Sequence, residues 1–310
     1  MTDFNQDIFN LDPVDFVDKN EKKESELYKP DAKKGTDNVY SSLIRFVAFW
    51  KDPKNSKIKK YSYWLEDPLN GEGFSVDCPS SINQKSPLQD AFWKLKKSTN
   101  ASEVKLSEKF KRKENYYALV QILKDTHQPE MVGKIKVFKF GQKLNAIIQS
   151  ELQPEYGKPY NPFDPFNGRI MNLKVTLSGG FNNYDLSKFV GDESPITMNG
   201  KPITKDPQVM KDFVEWLKTN SPDLTNYEYK EWTDDVRARV KSVIDRTTPT
   251  LRTTNEALNT AKSAPISRNV DLNPSPVAES APSVSVDDLD LDTMDSGAGD
   301  DFNDDLYAGL

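Results

Sequence analysis

One cysteine, Cys78, and one histidine, His127, are all that 310 residues supply of two side chains central to metal binding and nucleophilic chemistry. A single thiol forms no intrachain disulfide, and one Cys with one His falls short of the four ligands of a structural zinc site. A Cys/His nucleophile pair would consume both copies and has no flanking motif behind it, so core or surface places are expected for both. No apolar run approaches the ~20 residues that cross a bilayer. Met1-Thr2-Asp3-Phe4 opens acidic where a secretory signal would open basic. A soluble cytoplasmic protein without a membrane partner is expected.

Charge of one sign is also missing from the end of the chain. The last forty residues hold eleven acidic side chains and no Lys or Arg. The whole chain has 48 acidic and 42 basic residues, net -6. Setting aside those forty and the first 39, which carry ten acidic and six basic residues, leaves 27 against 36. Residues 40–270 are therefore net +9, a basic body with a polyanion attached. Such a pairing suits a nucleic-acid groove regulated by an internal competitor, or else a solubilising tail.

Composition divides the chain into an N-terminal arm (1–38) expected to be mobile, a folded core (39–246), a Thr/Ser/Pro/Asn-rich linker (247–284) and an acidic tail (285–310) expected to be disordered. Within the core, 39–50 and 58–65 read as two strands of a hairpin across the Lys51–Asn55 turn. Residues 67–105 are broken by Pro and Gly and read as an insertion with a short helix near 90–97. The segments 116–124 and 134–140 are expected to pair, and 141–152 to form a helix from its apolar spacing. Residues 169–177 read as a strand turned by Gly179-Gly180. Two amphipathic helices close the core, with faces at Val209, Met210, Phe213, Trp216 and Leu217, and at Tyr229, Trp232, Val236, Val240 and Val243. The sum is a mainly β fold: a small barrel with helical additions and an insertion.

Cations and aromatic residues interleave in three places. Lys111, Arg112 and Lys113 run into Tyr116-Tyr117; Phe138, Lys139, Phe140 and Lys143 alternate; and Phe181, Tyr184 and Lys188 lie close together. Unpaired bases stack on rings while phosphates need cations, so this pattern suits single strands. It is equally the pattern of strands with an aromatic core and a solvated lysine face. Neighbours on a strand point to opposite faces, which predicts one of Tyr116 and Tyr117 buried and the other in the groove. A metal-dependent nuclease would need carboxylates such as Asp164, Asp185 and Asp192, whose spacing indicates no shared site. An acidic-tailed assembly chaperone is disfavoured by the basic body.

The segment Gly180-Phe181-Asn182-Asn183-Tyr184-Asp185-Leu186-Ser187-Lys188-Phe189 resembles the Gly-Phe-Ser-Asn-Tyr-Asp-x-Ser-Lys-Phe segment of the T-even bacteriophage single-stranded DNA-binding protein family. Ser42-Leu43-Ile44-Arg45-Phe46, Lys111-Arg112-Lys113 before Tyr116-Tyr117-Ala118, and Gly133-Lys134 through Lys143 resemble other stretches of that family in the same order, and the Asp-rich tail matches in position. The resemblance implies an oligonucleotide/oligosaccharide-binding (OB-fold) barrel that coats single-stranded DNA cooperatively in the infected bacterial cell. No catalysis is implied.

By position, the resemblance places Arg45, Arg112, Lys113, Tyr117, Phe138, Lys139, Phe181, Tyr184 and Lys188 at the DNA. It also implies a tail recruiting replication and recombination proteins such as polymerase, helicase loader, recombinase and mediator. The tail residues concerned are Asp287, Asp288, Leu289, Asp290, Leu291, Asp292, Asp300, Asp301, Phe302, Asp304, Asp305, Leu306 and Tyr307. The family's zinc ribbon takes one His and three Cys. Here the equivalent insertion offers Cys78, Ser86 and Leu88, so no cofactor is expected and packing around Phe74, Phe92 and Trp93 is expected instead. The family's N-terminal Lys-Arg-Lys-Ser-Thr motif for neighbour contacts is also missing, with Lys33-Lys34-Gly35-Thr36 a poor substitute.

Overall fold

A computed structural model describes residues 25–248 of the chain. Along it run β1 (Leu27–Tyr28), β2 (Val39–Val47), β3 (Lys57–Glu66), β4 (Gly73–Asp77), α1 (Pro87–Lys96), α2 (Ala101–Ser107), β5 (Lys113–Asp125) and β6 (Ile135–Phe140). Then follow α3 (Gln142–Leu152), β7 (Arg169–Ser178), β8 (Phe181–Asn183), β9 (Lys188–Glu193), β10 (Thr197–Met198), β11 (Lys201–Pro202), α4 (Pro207–Asn220) and α5 (Asp234–Thr247). The linker beyond 248 and the acidic tail lie outside the described residues. So does the arm up to residue 24, whereas residues 25–38 of that arm lie against the sheet.

β5 organises the fold. Its run from Tyr116 to Ile122 is buried at every residue, as a strand covered on both faces requires. Tyr116, Ala118, Val120 and Ile122 enter one core with Ile44, Phe46, Phe138 and Phe140. Tyr117 and Leu119 enter another with Val47, Val137, and Phe213 and Leu217 of α4. β6 pairs antiparallel with one edge of β5, as expected. The other edge is shared end to end: β3 takes residues 113–118 and β2 takes 119–125. The expected hairpin of 39–50 with 58–65 is therefore two strands that are not partners. Ser56, accepting from Phe49 N at 2.9 Å, fixes a bend that sends the chain along β5 rather than back on itself.

β2 pairs onward with β7, and β7 carries β8 and β9; β1 adds a parallel pair to β6. The result is one mixed nine-stranded sheet with no pairing that closes it into a barrel among the described residues. It curls around the first core until its ends meet through side chains. Tyr184, just after β8, sets its ring 6.2 Å from Phe138 on β6, and Asn182 Oδ1 accepts from Ala32 N at 2.9 Å. The β7–β8 turn is made by Gly179 and Gly180, both at positive φ, the requirement of a two-residue hairpin.

The stretch 67–105 is more than an insertion on the sheet. β4 pairs with the far half of β3, and Phe74, Val76, Leu88, Ala91 and Leu95 form a third core with Val240, Val243 and Ile244 of α5. Phe92 packs against it, as expected, but Trp93 turns outward at 38% exposure. Thr233 caps α5 by accepting from Val236 N at 3.3 Å, so Tyr229 and Trp232 precede the helix instead of opening it. Trp232 Nε1 donates to the Asp77 carbonyl at 2.6 Å and Arg239 Nε to Asp67 at 2.9 Å, which fastens α5 to this unit.

Candidate nucleic-acid interface

Alternation along β3 puts Lys57, Lys59 and Tyr61 on one face, and the β3–β5 register sets Lys59 opposite Tyr116 and Tyr61 opposite Glu114. Cations and rings therefore interdigitate across two strands. Lys59 Nζ lies 4.9 Å from the Tyr61 ring centre and 5.9 Å from that of Tyr116. Lys57 Nζ lies 5.2 Å over Tyr116, and the Arg112 guanidinium 4.1 Å over Tyr61. Such contacts contribute ~0.5–2 kcal/mol each, more as water is excluded.

Glu114 stands in the middle. Its carboxylate accepts from the Tyr116 hydroxyl, from Gln142 Nε2 at 3.0 Å, and pairs with Lys59 Nζ at 3.0 Å. Burial works to raise the Glu114 pKa, but these three donors outweigh it and hold the pKa below the usual glutamate value. Burial likewise opposes charge on Lys59, yet Tyr61 and Glu114 hold its pKa above the ordinary lysine range. Lys57 is shifted down, mainly by burial and next by Lys59 beside it.

From Tyr116 the aromatic row continues. Phe140 stacks on it at 5.7 Å and 15°, Phe138 follows at 5.6 Å, and Tyr184 meets Phe138 edge-on. Phe138 and Phe140 are buried, so they form the floor; Phe181 and Tyr184 are half-buried and keep surface. The start of α3 bridges the two ends: Lys57 bonds Asn145, Gln142 reaches Glu114, and Lys143 pairs with Asp185 at 3.1 Å. Ser187, buried, both donates to and accepts from the Lys174 backbone, at 3.2 and 3.1 Å, which holds the 184–188 turn down with Lys188 exposed.

Not every residue singled out from the sequence joins this row. Arg45 is fully buried and spends its donors on backbone carbonyls of Phe46 at 2.8 Å, Ser194 at 3.0 Å, Pro162 and Asp164. Burial lowers its pKa to about 10, and it anchors the 161–168 loop instead of facing the groove. Tyr116 and Tyr117 are both buried, on opposite faces, in place of the expected one buried and one in the groove. Tyr117 lies under Tyr227 at 5.2 Å, and Lys139, its register partner, shares that side. Lys111 is exposed and Arg112 and Lys113 half-buried at the entry to β5. The tail residues Asp287 to Tyr307 lie outside the described residues.

Sequence reading missed Lys57, Lys59, Tyr61, Glu114 and Gln142. The Lys-x-Lys-x-Tyr alternation of β3 was the available signal, but it is also how any strand shows lysines to solvent.

Asp164, Asp185 and Asp192 have separate surroundings. Asp164 accepts from Phe166 N at 2.8 Å and Asn167 N at 2.9 Å within its own loop, Asp185 pairs with Lys143, and Asp192 is exposed. No group of three His, Cys, Asp or Glu placed for a metal occurs among the described residues. The Cys78 thiol is buried and lies 3.4 Å from the Tyr63 hydroxyl and 3.3 Å from that of Ser80, while Leu88 is core. His127 packs on Tyr40 at 4.9 Å, far along the chain from it. No described helix is long and apolar enough to cross a membrane.

The chain is similar to the proteins named single-stranded DNA-binding protein of Enterobacteria phages T4 and T2. It is 29% identical to each over 178 residues, 53% of this chain and 55% of each relative. It thus matches about half the length of those curated relatives. A family model described as gp32 DNA binding protein like matches residues 40–239, from β2 into α5, and the chain belongs to that family.

Proposed function

We propose that the chain binds single-stranded DNA along the Tyr116 face of the sheet and coats it during phage DNA replication, recombination and repair. The observation that carries this reading is the unbroken succession from Arg112 through Tyr61, Lys59, Tyr116, Phe140 and Phe138 to Tyr184. Exposed bases gain ~1–3 kcal/mol each on an aromatic ring, phosphates follow cations, and a duplex hides its base faces. In this reading Tyr61, Phe181 and Tyr184 receive bases. Lys57, Lys59, Lys111, Arg112, Lys113, Lys143 and Lys188 attract phosphates, with Lys139 at the edge. Tyr116, Phe138 and Phe140 form the support, and Arg45 and Tyr117 act from inside the sheet. The names of the relatives and of the family favour the same partner.

The curled sheet is read as an OB-fold barrel, and the insertion as a unit held by packing without metal. The protein performs no chemistry on the strand. The acidic residues from Asp287 to Tyr307 compete for the cationic track in the free protein. Displaced, they dock replication and recombination proteins in the cytoplasm of the infected bacterium. Self-association along DNA would involve the first 38 residues.

Intrinsic fluorescence titrated with poly-dT and with duplex at several salt concentrations tests the reading. Preference for poly-dT is expected, with log affinity falling against log salt by ~0.7 for each phosphate neutralised. A chain ending at residue 284 is expected to bind more tightly at low salt. Equal affinity for duplex, or a flat salt response, removes the proposal.

A further inference from the structure

An acidic side chain at the centre of a polyanion site calls for an explanation, and Glu114 is such a group. It lies on the same strand face as Tyr116, and its carboxylate is largely enclosed, with 14% of the side chain exposed. Its three donors differ in chemistry: the Lys59 ammonium, the Tyr116 hydroxyl and the Gln142 amide. An ammonium, a hydroxyl and an amide N–H converging on two oxygens are also the donor set by which proteins hold a phosphate of the nucleic-acid backbone. A glutamate kept only to position Lys59 would need one of these bonds. Glu114 takes all three, and does so between the two rings that flank Lys59.

We infer that Glu114 is a built-in stand-in for a DNA phosphate, occupying the Lys59–Tyr116–Gln142 cradle in the free protein and weakening binding until a backbone phosphate takes its place. The inference rests on the proposed binding of single strands to this face. It separates two competitors within one chain, since Glu114 acts inside the folded core whether or not the acidic tail is attached. The depressed pKa of Glu114 keeps the stand-in charged at neutral pH. Exchange with a phosphate replaces one anion by another, so Lys59 releases no salt counterion on binding. With the carboxylate removed, Lys59 recruits a counterion in the free protein and releases it to DNA.

The test titrates full-length wild type, Glu114→Gln, Lys59→Met and the double variant with poly-dT over a salt series, each checked for fold by thermal unfolding. Glu114→Gln keeps shape and removes charge. It is expected to tighten low-salt binding about tenfold and to steepen the log–log salt slope by ~0.7, one added phosphate contact on a single strand. Lys59→Met should cost little in the wild type, where the cation is already neutralised, and several-fold more in the Glu114→Gln background. A second charge-removing change, Glu114→Ser, must move affinity and slope the same way. Weaker or unchanged binding by both Glu114 variants with an unaltered slope overturns the inference and leaves the glutamate a positioning group. Failure of wild type and all variants to bind poly-dT overturns the underlying reading, and the inference with it.

Discussion

The two faces of β5 carry the same kinds of residue and end in opposite situations. On one, Tyr116 lies beside Lys57 and Lys59, and the row continues to Tyr184 at the surface. On the other, Tyr117 has Lys60 5.4 Å from its ring, but that lysine is matched to Asp77 at 3.1 Å and Tyr227 roofs the tyrosine. Aromatic–cation interleaving is thus not in itself a binding surface. What covers the face decides: α4 and the Leu224–Tyr227 turn close the Tyr117 side, while on the Tyr116 side α3 and the curled sheet cover the centre of the row and leave Tyr61 and Tyr184 at its ends half-buried.

The contrast can be broken by substitution. Phe138→Ala removes the floor of the Tyr116 row and is expected to cost ~3–5 kcal/mol of stability, read from urea unfolding, because a buried ring leaves a cavity that the sheet cannot collapse. A cost below 1 kcal/mol, on the order of an exposed-site change, would mean that the row is not packed as described. A crossed pair sharpens it. Tyr61→Leu should lose ~1–3 kcal/mol of poly-dT binding, along with the stability of its two cation–ring contacts. Tyr117→Leu should lose ~1–2 kcal/mol of stability with little change in binding. The same response from both variants would erase the distinction between the faces.

Titration gives the smallest effect. The Glu114 pKa is lower in the folded state, so its contribution is present above the unfolded glutamate pKa of about 4.3 and is lost as pH falls through the lower folded value. Tyr227 is pushed up to about 12 by burial first and then by the Glu26 charge. Its contribution holds below the unfolded tyrosine pKa of about 10 and is lost as pH rises through the folded one. Urea midpoints followed across pH should therefore show a flatter acid limb in Glu114→Gln and a flatter alkaline limb in Tyr227→Phe. Limbs identical to wild type would show that neither group is perturbed.

Strongly local signals were readable from the residues alone. The β5–β6 pairing, α3, and the Gly179-Gly180 turn follow from apolar spacing and from positive φ that only small residues tolerate easily. Pairings set by distant segments were not readable. β2 and β3 read as a hairpin because a short polar turn joins them, but a thirteen-residue β5 is long enough to take both on one edge. The family resemblance implies Arg45 as a groove cation, and nothing nearby in sequence announces the carbonyls of Pro162, Asp164 and Ser194 that enclose it. Glu114, an acid next to cations, is ordinary strand alternation in the sequence, and only the fold brings its three donors together.

The attachment of α5 has a mechanical corollary. Trp232 grips the Asp77 carbonyl, and the Asp77 carboxylate holds Lys60 on β3, next to Tyr61. Along the chain back from Thr248, a load meets the packed face of Ile244, Val243 and Val240 and the Arg239–Asp67 pair before it meets Trp232.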